Sequence, residues 1–298
     1  MAPAAPSRFR RVAIVGVGLI GGSIGLAIRR RLPRVRVVGI DRPAVLRAAR
    51  RRGAVQEGAA SLAAGLAGAD LVVLALPVDA ALRVLPRVAR LAGPGTLITD
   101  VGSTKDPIVR AARRLGVASR FVGGHPMAGS ERSGIGNAEA SIFRGSPWIL
   151  CPAQARRRGA GEDPAVRRLA GLVERLGARP ARLEARLHDA VMARLSHLPQ
   201  LISVALVNAA AASPAGRFLE LSGPAFSQMS RLAASPPALW DGILKSNRRA
   251  ALRALREFIR ELRRLGADLG RGLSPHFRRA ARTRARMARR ERAMRPVC

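Results

Sequence analysis

Residues 12–28 read VAIVGVGLIGGSIGLAI. Four apolar residues run into a glycine turn and a second apolar stretch follows, the pattern of a buried strand entering a helix. Gly16, Gly18 and Gly21 stand at G-x-G-x-x-G spacing. Each answers a different demand of a dinucleotide: a tight turn, room for the pyrophosphate against bare backbone, and close approach of helix to strand. The first turn of such a helix also offers unpaired N–H groups and the positive end of its dipole to phosphate. A lone motif of this kind is common, so its surroundings must decide.

Working outward, residues 35–40 give a second apolar strand that ends at Asp41, twenty residues past Gly21. A carboxylate there bonds the ribose hydroxyls of adenosine and repels a 2′-phosphate, which predicts NAD over NADP. Arg42 beside it pulls the other way. Residues 44–52 form a helix pattern ended by Gly53, and DLVVLAL (70–76) is a continuous apolar run stopping at Pro77. Such a run fits a parallel strand covered on both faces. The candidate nucleotide contacts are Gly16, Gly18, Leu19, Ile20, Gly21, Asp41 and Pro77. Residues 82–91 are helical, and 95–99 form a strand leading into TDVGSTK (99–105). Ser103 or Thr104 is placed to cap the next helix, whose first turn holds Asp106 and Pro107.

Residues 121–123 and 148–150 read as further strands, joined by a long glycine-rich connection. Loops of that length in compact domains usually carry function. The alternation of strands and helices up to about residue 184 implies βαβ units, right-handed crossovers and a parallel sheet. From 185 the strand signal vanishes. Residues 187–212 form a long apolar helix that Pro199 is expected to kink. Residues 250–267 place Leu252, Leu255, Ile259, Leu262 and Leu265 at helical spacing, and 278–295 read as a solvated or disordered basic end.

With 298 residues and 48% hydrophobic composition the chain buries ample core. Of 53 basic residues only Lys105 and Lys245 are lysine, and the net charge is +34. The arginines are spread along the whole chain and aromatics for base stacking amount to 3%. A nucleic-acid surface is therefore the secondary reading, and an anionic small molecule the primary one. Cys151 and Cys298 cannot build a disulfide framework and predict a reducing cytoplasm. Residues 12–28 follow Arg8, Arg10 and Arg11 as a signal peptide's apolar region would. Glycines interrupt them, however, and Arg29, Arg30 and Arg31 stand where small cleavage-site residues belong. No other uncharged run reaches membrane length by this reading, so a soluble chain is expected.

Of four histidines, His125 sits in GGHPMAGSERSG (123–134), at the carboxyl edge of the expected sheet, and Ser103 reaches the same edge. A histidine and a serine beside a nicotinamide pocket point to removal of an alcohol proton while hydride leaves its carbon. His197, on the apolar helix, fits either a satisfied core histidine or a ligand. Arg231 lies just before a proline-rich break. No metal-ligand spacing, P-loop or G-x-S-x-G occurs, so no metal is expected.

The ordered stretches VAIVGVGLIGGSIGLAI, TDVGSTK, GGHPMAGSERSG, LSHLPQ (195–200) and SQMSRLAAS (227–235), then Leu239-Trp240 and Asn247, carry a resemblance. Over about 11–270 the chain resembles the prephenate/arogenate dehydrogenase family of tyrosine biosynthesis. The resemblance implies an α/β fold with a Rossmann-type parallel sheet domain at 1–184. An all-α substrate and dimerisation domain follows at 185–275, then the basic tail at 276–298. It implies a cytoplasmic homodimer that uses NAD to convert prephenate to 4-hydroxyphenylpyruvate with loss of carbon dioxide. His125 matches the histidine that takes the ring hydroxyl proton, Ser103 the serine that orients it, and Arg231 the arginine that pairs with a substrate carboxylate. His197 and Glu131 match further residues near the substrate.

Two departures stand out. Gln200 replaces a second histidine that commonly ends the S-H-L-P-H motif and helps hold substrate, and Gln228 replaces a frequent acidic residue. Both leave the choice between prephenate and arogenate open. A two-domain β-hydroxy acid dehydrogenase would need a catalytic lysine on the helical half, where Lys245 stands alone outside such a motif. An anion- or nucleic-acid-binding protein is the non-enzyme alternative.

Overall fold

The computed structural model describes residues 9–129, 132–154 and 161–293. The chain forms two compact units, residues 1–248 and 249–298. In chain order the elements are β1 (Arg11–Val15), α1 (Leu19–Arg31), β2 (Arg36–Ile40), α2 (Pro43–Arg51), β3 (Glu57–Ala59), α3 (Leu62–Leu66), β4 (Leu71–Leu74) and α4 (Val78–Leu91). Then come β5 (Leu97–Asp100), α5 (Asp106–Arg114), β6 (Phe121–Pro126), β7 (Pro147–Pro152), α6 (Pro164–Arg175) and β8 (Arg179–Arg182). The rest is helical: α7 (Ala185–Met192), α8 (Leu198–Ala212), α9 (Pro224–Ser230), α10 (Pro237–Ser246), α11 (Arg248–Asp268) and α12 (Ser274–Ala293).

One sheet runs through the larger unit in the order β3-β2-β1-β4-β5-β6-β7-β8. The first six of these are parallel. Side chains alternate between its faces, which is why the strands read as unbroken apolar runs. Val12 and Ile14 join one buried cluster with Ile24 and Ile28 of α1 and Leu169 and Val173 of α6. Ala13 and Val15 join the other with Leu85 and Val88 of α4 and Ile108 and Val109 of α5. Burying each such Leu, Ile or Val contributes about 1.5–3 kcal/mol, so the layers hold the sheet edge rigidly. The Rossmann-type sheet followed by helices is thus the architecture observed.

Several details differ from expectation. β7 runs antiparallel to β6, with His125 opposite Ile149 and Pro126 opposite Trp148. Among its described residues the connection between them carries no crossover α-helix, so the chain returns alongside in the opposite sense, as antiparallel pairs allow. β8 is parallel to β7 because α6 supplies the crossover there. β3 and α3, three and five residues long, are too short to leave a periodic signal. Neither Ser103 nor Thr104 caps α5. Its N-cap is Lys105, without a side-chain cap bond of its own, and the Asp189 carboxylate takes the backbone N–H of Lys105 at 2.7 Å and of Asp106 at 2.9 Å. The cap arrives from a residue 84 positions away, which local spacing cannot reveal.

Ala193–His197 is a π turn between α7 and α8. It widens the helix just ahead of Pro199, which lacks an N–H and would clash with the preceding turn, so it absorbs the expected kink. Ala185–Ala212 is 28 residues long and holds an 18-residue window of mean hydropathy 1.4, long and apolar enough to cross a membrane by length and composition alone. That corrects the expectation that only residues 12–28 approach this. The run also carries a buried polar row: His188, Asp189, His197, Gln200 and Ser203. In the smaller unit, His276 of α12 bonds Asp268 at 2.9 Å and Arg279 pairs with Glu261. At the end expected to be solvated or disordered, Ser274–Ala293 is a helix, and its side chains up to Arg289 are mostly exposed.

Candidate functional site

Strand order reverses between β1 and β4, and ligands of open α/β sheets bind beyond the carboxyl ends of such strands. Gly16 makes the turn there with φ +92, and a Cβ on it would lie 2.3 Å from the carbonyl oxygen of Ala75. A Cβ on Gly21 would lie 2.0 Å from the carbonyl oxygen of Gly16, so the helix approaches the turn as only glycine permits. Gly18 differs. A Cβ there would meet nothing within 4 Å, because the residue faces a cleft of about 430 Å³.

Leu19, Ile20, Pro77 and Ser103 line the same cleft. α1 begins at this opening with Gly18 as N-cap, no side-chain cap bond and no acidic residue in its first turn. Its free N–H groups and dipole form a cradle for phosphate. The residues present therefore fit a dinucleotide. Gly16, Gly21 and Asp41 shape the turn without lining the cleft. Asp41 accepts the Val17 N–H at 2.8 Å and the Arg42 N–H at 2.7 Å, tying the end of β2 to the glycine turn.

Along the edge, β5 and β6 are joined by a buried ion pair. The Lys105 ammonium pairs with Asp100 and donates to the Gly124 carbonyl at 2.8 Å. Asp100 in turn accepts the N–H of Gly102 at 2.9 Å and of Gly124 at 3.3 Å. The turn bearing Ser103 and the strand bearing His125 are thereby held to each other.

His125 is buried, and its Nδ1 lies 2.8 Å from Nε2 of His188. Nδ1 of His188 lies 2.8 Å from Oδ1 of Asp189. Burial, then the neighbouring His188, Lys105 and His197, holds the His125 imidazole well below the usual histidine range. It is neutral near pH 7, as a proton acceptor must be.

His197 is fully buried. Burial lowers it to about 4, against the opposing pull of Asp189. Its Nδ1 lies 3.4 Å from Asn247 Nδ2, which also donates to the Asp189 carbonyl at 2.8 Å. Its Nε2 is buried with no hydrogen-bond partner, and its ring stands edge-on to Trp240 at 6.1 Å. Both ends of the Gln200 amide are engaged within the protein: its Nε2 donates to the Leu232 carbonyl at 2.8 Å and its Oε1 accepts from the Ser235 hydroxyl at 3.4 Å. It thus fixes the 3-10 turn Arg231–Ala234. Arg231 itself is exposed and does not line the cleft. Glu131 lies outside the described residues. Cys151, pushed up to about 12 by burial, is inert. Among the described residues no cluster of metal-ligating side chains occurs.

His188, Asp189, Asp100 and Lys105 were not among the residues singled out from sequence. Two signals were present. His188-Asp189 is a polar, titratable dipeptide inside an apolar helix, and Lys105 is one of two lysines in a chain that otherwise uses arginine. The pocket explains the exception, since a compact ammonium fits between a carboxylate and a carbonyl where a planar guanidinium would not.

Residues 24–181 match the family model described as prephenate dehydrogenase, nucleotide-binding domain, and 184–283 that described as its dimerization domain. A prephenate dehydrogenase of Bacillus subtilis is 36% identical over 261 residues, spanning 84% of this chain and 68% of the relative. Among solved structures, prephenate dehydrogenase from A. aeolicus in complex with hydroxyphenyl propionate and NAD+ superposes with a TM-score of 0.83 at 26% identity, covering 96% of this chain and 100% of that one. Synechocystis arogenate dehydrogenase gives 0.78 at 28% identity, covering 94% and 99%. With the two domain matches in order over residues 24–181 and 184–283, and a relative 36% identical over 84% of this chain, the chain belongs to the prephenate dehydrogenase family.

Proposed function

We propose that the chain catalyses the NAD-dependent oxidative decarboxylation of prephenate to 4-hydroxyphenylpyruvate. One observation carries the reading: a phosphate cradle at the start of α1 and a buried neutral imidazole on β6 share one edge of one sheet. When bound, NAD supplies the hydride acceptor. Gly18, Leu19, Ile20 and Pro77 would hold it, with Asp41 behind the turn reading the ribose. His125 takes the proton of the ring hydroxyl, and Ser103, on the cleft wall, orients that hydroxyl. Loss of hydride and proton yields a dienone conjugated to the carbon bearing the ring carboxylate. Carbon dioxide then leaves because the ring becomes aromatic, and no further acid is required.

Arg231 is assigned to a substrate carboxylate, for which its planar fork is suited. His197 is assigned to the substrate as well. Asn247 donates to its Nδ1, which leaves the ring proton on Nε2, a buried donor without a partner that a substrate oxygen would satisfy. The division at residue 185 is supported by the boundary between the two domain matches. The apolar side chains left exposed from α7 onward, among them Leu195, Phe218, Leu221 and Met229, support a homodimer, and the two cysteines without a disulfide framework support a cytoplasmic location.

Arogenate is the second reading for the substrate, favoured by Gln200, which is spent on the Leu232 carbonyl and carries no charge toward a substrate side chain. The lysine-dependent β-hydroxy acid reading loses ground. Lys245 lies exposed in the last turn of α10, where a cation complements the helix dipole.

The deciding assay follows reduced nicotinamide with prephenate or arogenate and NAD or NADP. Turnover with neither substrate sinks the proposal. Arg231→Ala is expected to raise the substrate KM by about 2 kcal/mol, roughly thirtyfold, with kcat little changed. An unchanged KM removes Arg231 from the clamp. Asp41→Ser is expected to shift the NAD-to-NADP ratio of kcat/KM toward NADP by roughly tenfold, through loss of a repulsive charge. The ratio cancels any general weakening from the lost Val17 bond. No shift means Asp41 does not read the ribose.

A further inference from the structure

We infer that His188 and Asp189 form a proton relay behind His125, so that the charge created when His125 accepts the substrate proton moves inward and settles on His188 against Asp189. The inference rests on the reading of His125 as the proton acceptor. Its basis is a continuous line of hydrogen bonds. Asp189 accepts two backbone N–H groups at the start of α5, one on each oxygen, which suits a carboxylate. A carboxylate only accepts, so the 2.8 Å contact to His188 Nδ1 requires the proton on that nitrogen. Neutral His188 then offers a lone pair at Nε2, and the 2.8 Å contact to His125 requires the proton on His125 Nδ1. The remaining nitrogen, His125 Nε2, carries the lone pair. Two hydrogen bonds thus fix two tautomers and leave the base with one reactive atom.

The same line moves charge. When Nε2 of His125 accepts the hydroxyl proton, its Nδ1 proton passes to Nε2 of His188, whose Nδ1–H stays bonded to Asp189. The hydride goes to the nicotinamide, one proton enters the line, and none leaves it. Both rings are buried, and the relay moves the positive charge from His125, where Lys105 opposes it, to His188, which is bonded to the Asp189 carboxylate. The charged or titratable groups around the pair are Asp189 from α7, Lys105 from the start of α5 with the Asp100 carboxylate of β5 paired to it, and His197 from the π turn; Asp100 is spent on Lys105, and Asp189 is the carboxylate bonded to the pair. His188 touches no reacting atom and is a positioning residue.

His188→Gln separates relay from packing. The Gln amide can accept from His125 and donate to Asp189 but cannot carry a proton. It is expected to bind NAD as wild type does and to lower kcat by roughly tenfold or more. The acid limb of kcat/KM should move about one pH unit down, because His125 must then hold the charge alone in a buried site. A fall in kcat with an unshifted limb would mean packing only, and would overturn the relay.

The tautomers are read independently, by NMR of isotope-labelled histidine in the wild-type chain, where four histidines give a simple spectrum. Both His125 and His188 are expected as Nδ1–H forms, and either ring protonated on Nε2 when neutral overturns the proposal. That measurement needs no turnover. A wild-type chain inactive on prephenate and arogenate would therefore sink the functional reading while leaving the relay to be judged by its tautomers.

Discussion

His125→Asn is expected to lower kcat roughly 10²–10⁴-fold, the range for loss of a positioned general base, with NAD affinity unchanged. Three features set the size. The imidazole is buried and neutral, so it stands ready to accept a proton without first losing one. Its Nδ1 is engaged by His188, which leaves one nitrogen for the substrate. It sits on β6 inside the sheet, bracketed by β5 and β7, so its position does not depend on a loop. Asn retains a donor for His188 and fills part of the space, so the variant should fold, but it has no basic nitrogen. The cofactor cradle lies on β1 and α1, which the substitution does not touch. Steady-state rates paired with NAD titration make the test. Near-normal turnover would remove His125 from the proton step, and a matching loss of NAD affinity would mean that the two halves of the edge are not independent.

The cofactor side of the site was far more legible in the sequence than the proton side. A nucleotide cradle is built from consecutive residues whose backbone does the binding, so Gly16, Gly18 and Gly21 announce it by spacing alone. Strands buried on both faces announce themselves by unbroken apolar runs such as residues 71–74. The proton side is assembled from long-range contacts. Asp189 caps α5 from 84 residues away, and His188 meets His125 across 63. No local pattern encodes either. The antiparallel turn of β7 was missed for a related reason: strand direction depends on the path of the connection, and period-two hydrophobicity is blind to it. Lys105 was legible in part. Its rarity among arginines is a compositional flag, but only the packed pocket shows what that flag means.

Lys105→Met is expected to destabilise the fold by about 3–5 kcal/mol, the usual consequence of removing one partner from a buried ion pair. The lysine is fully buried and Asp100 nearly so. Met keeps most of the aliphatic stem, so little apolar contact is lost. What is lost is the ammonium, leaving the Asp100 carboxylate with only the Gly102 and Gly124 N–H groups, and the Gly124 carbonyl without its ammonium donor. Because those atoms are what join the Ser103 turn to the His125 strand, kcat should fall together with stability. Denaturant unfolding of the full chain with and without NAD measures the first, and turnover well below the new midpoint measures the second.

A double variant, Asp100→Asn with Lys105→Met, separates charge from shape. With no buried charge left unpaired, it should recover part of the lost stability while turnover stays low, since no ammonium remains at position 105 to hold the Gly124 carbonyl. If the single variant costs less than about 1 kcal/mol, or if the double variant is the less stable of the two, the pair is not what fixes the edge. The packing of β5 against β6 alone would then have to position the proton acceptor.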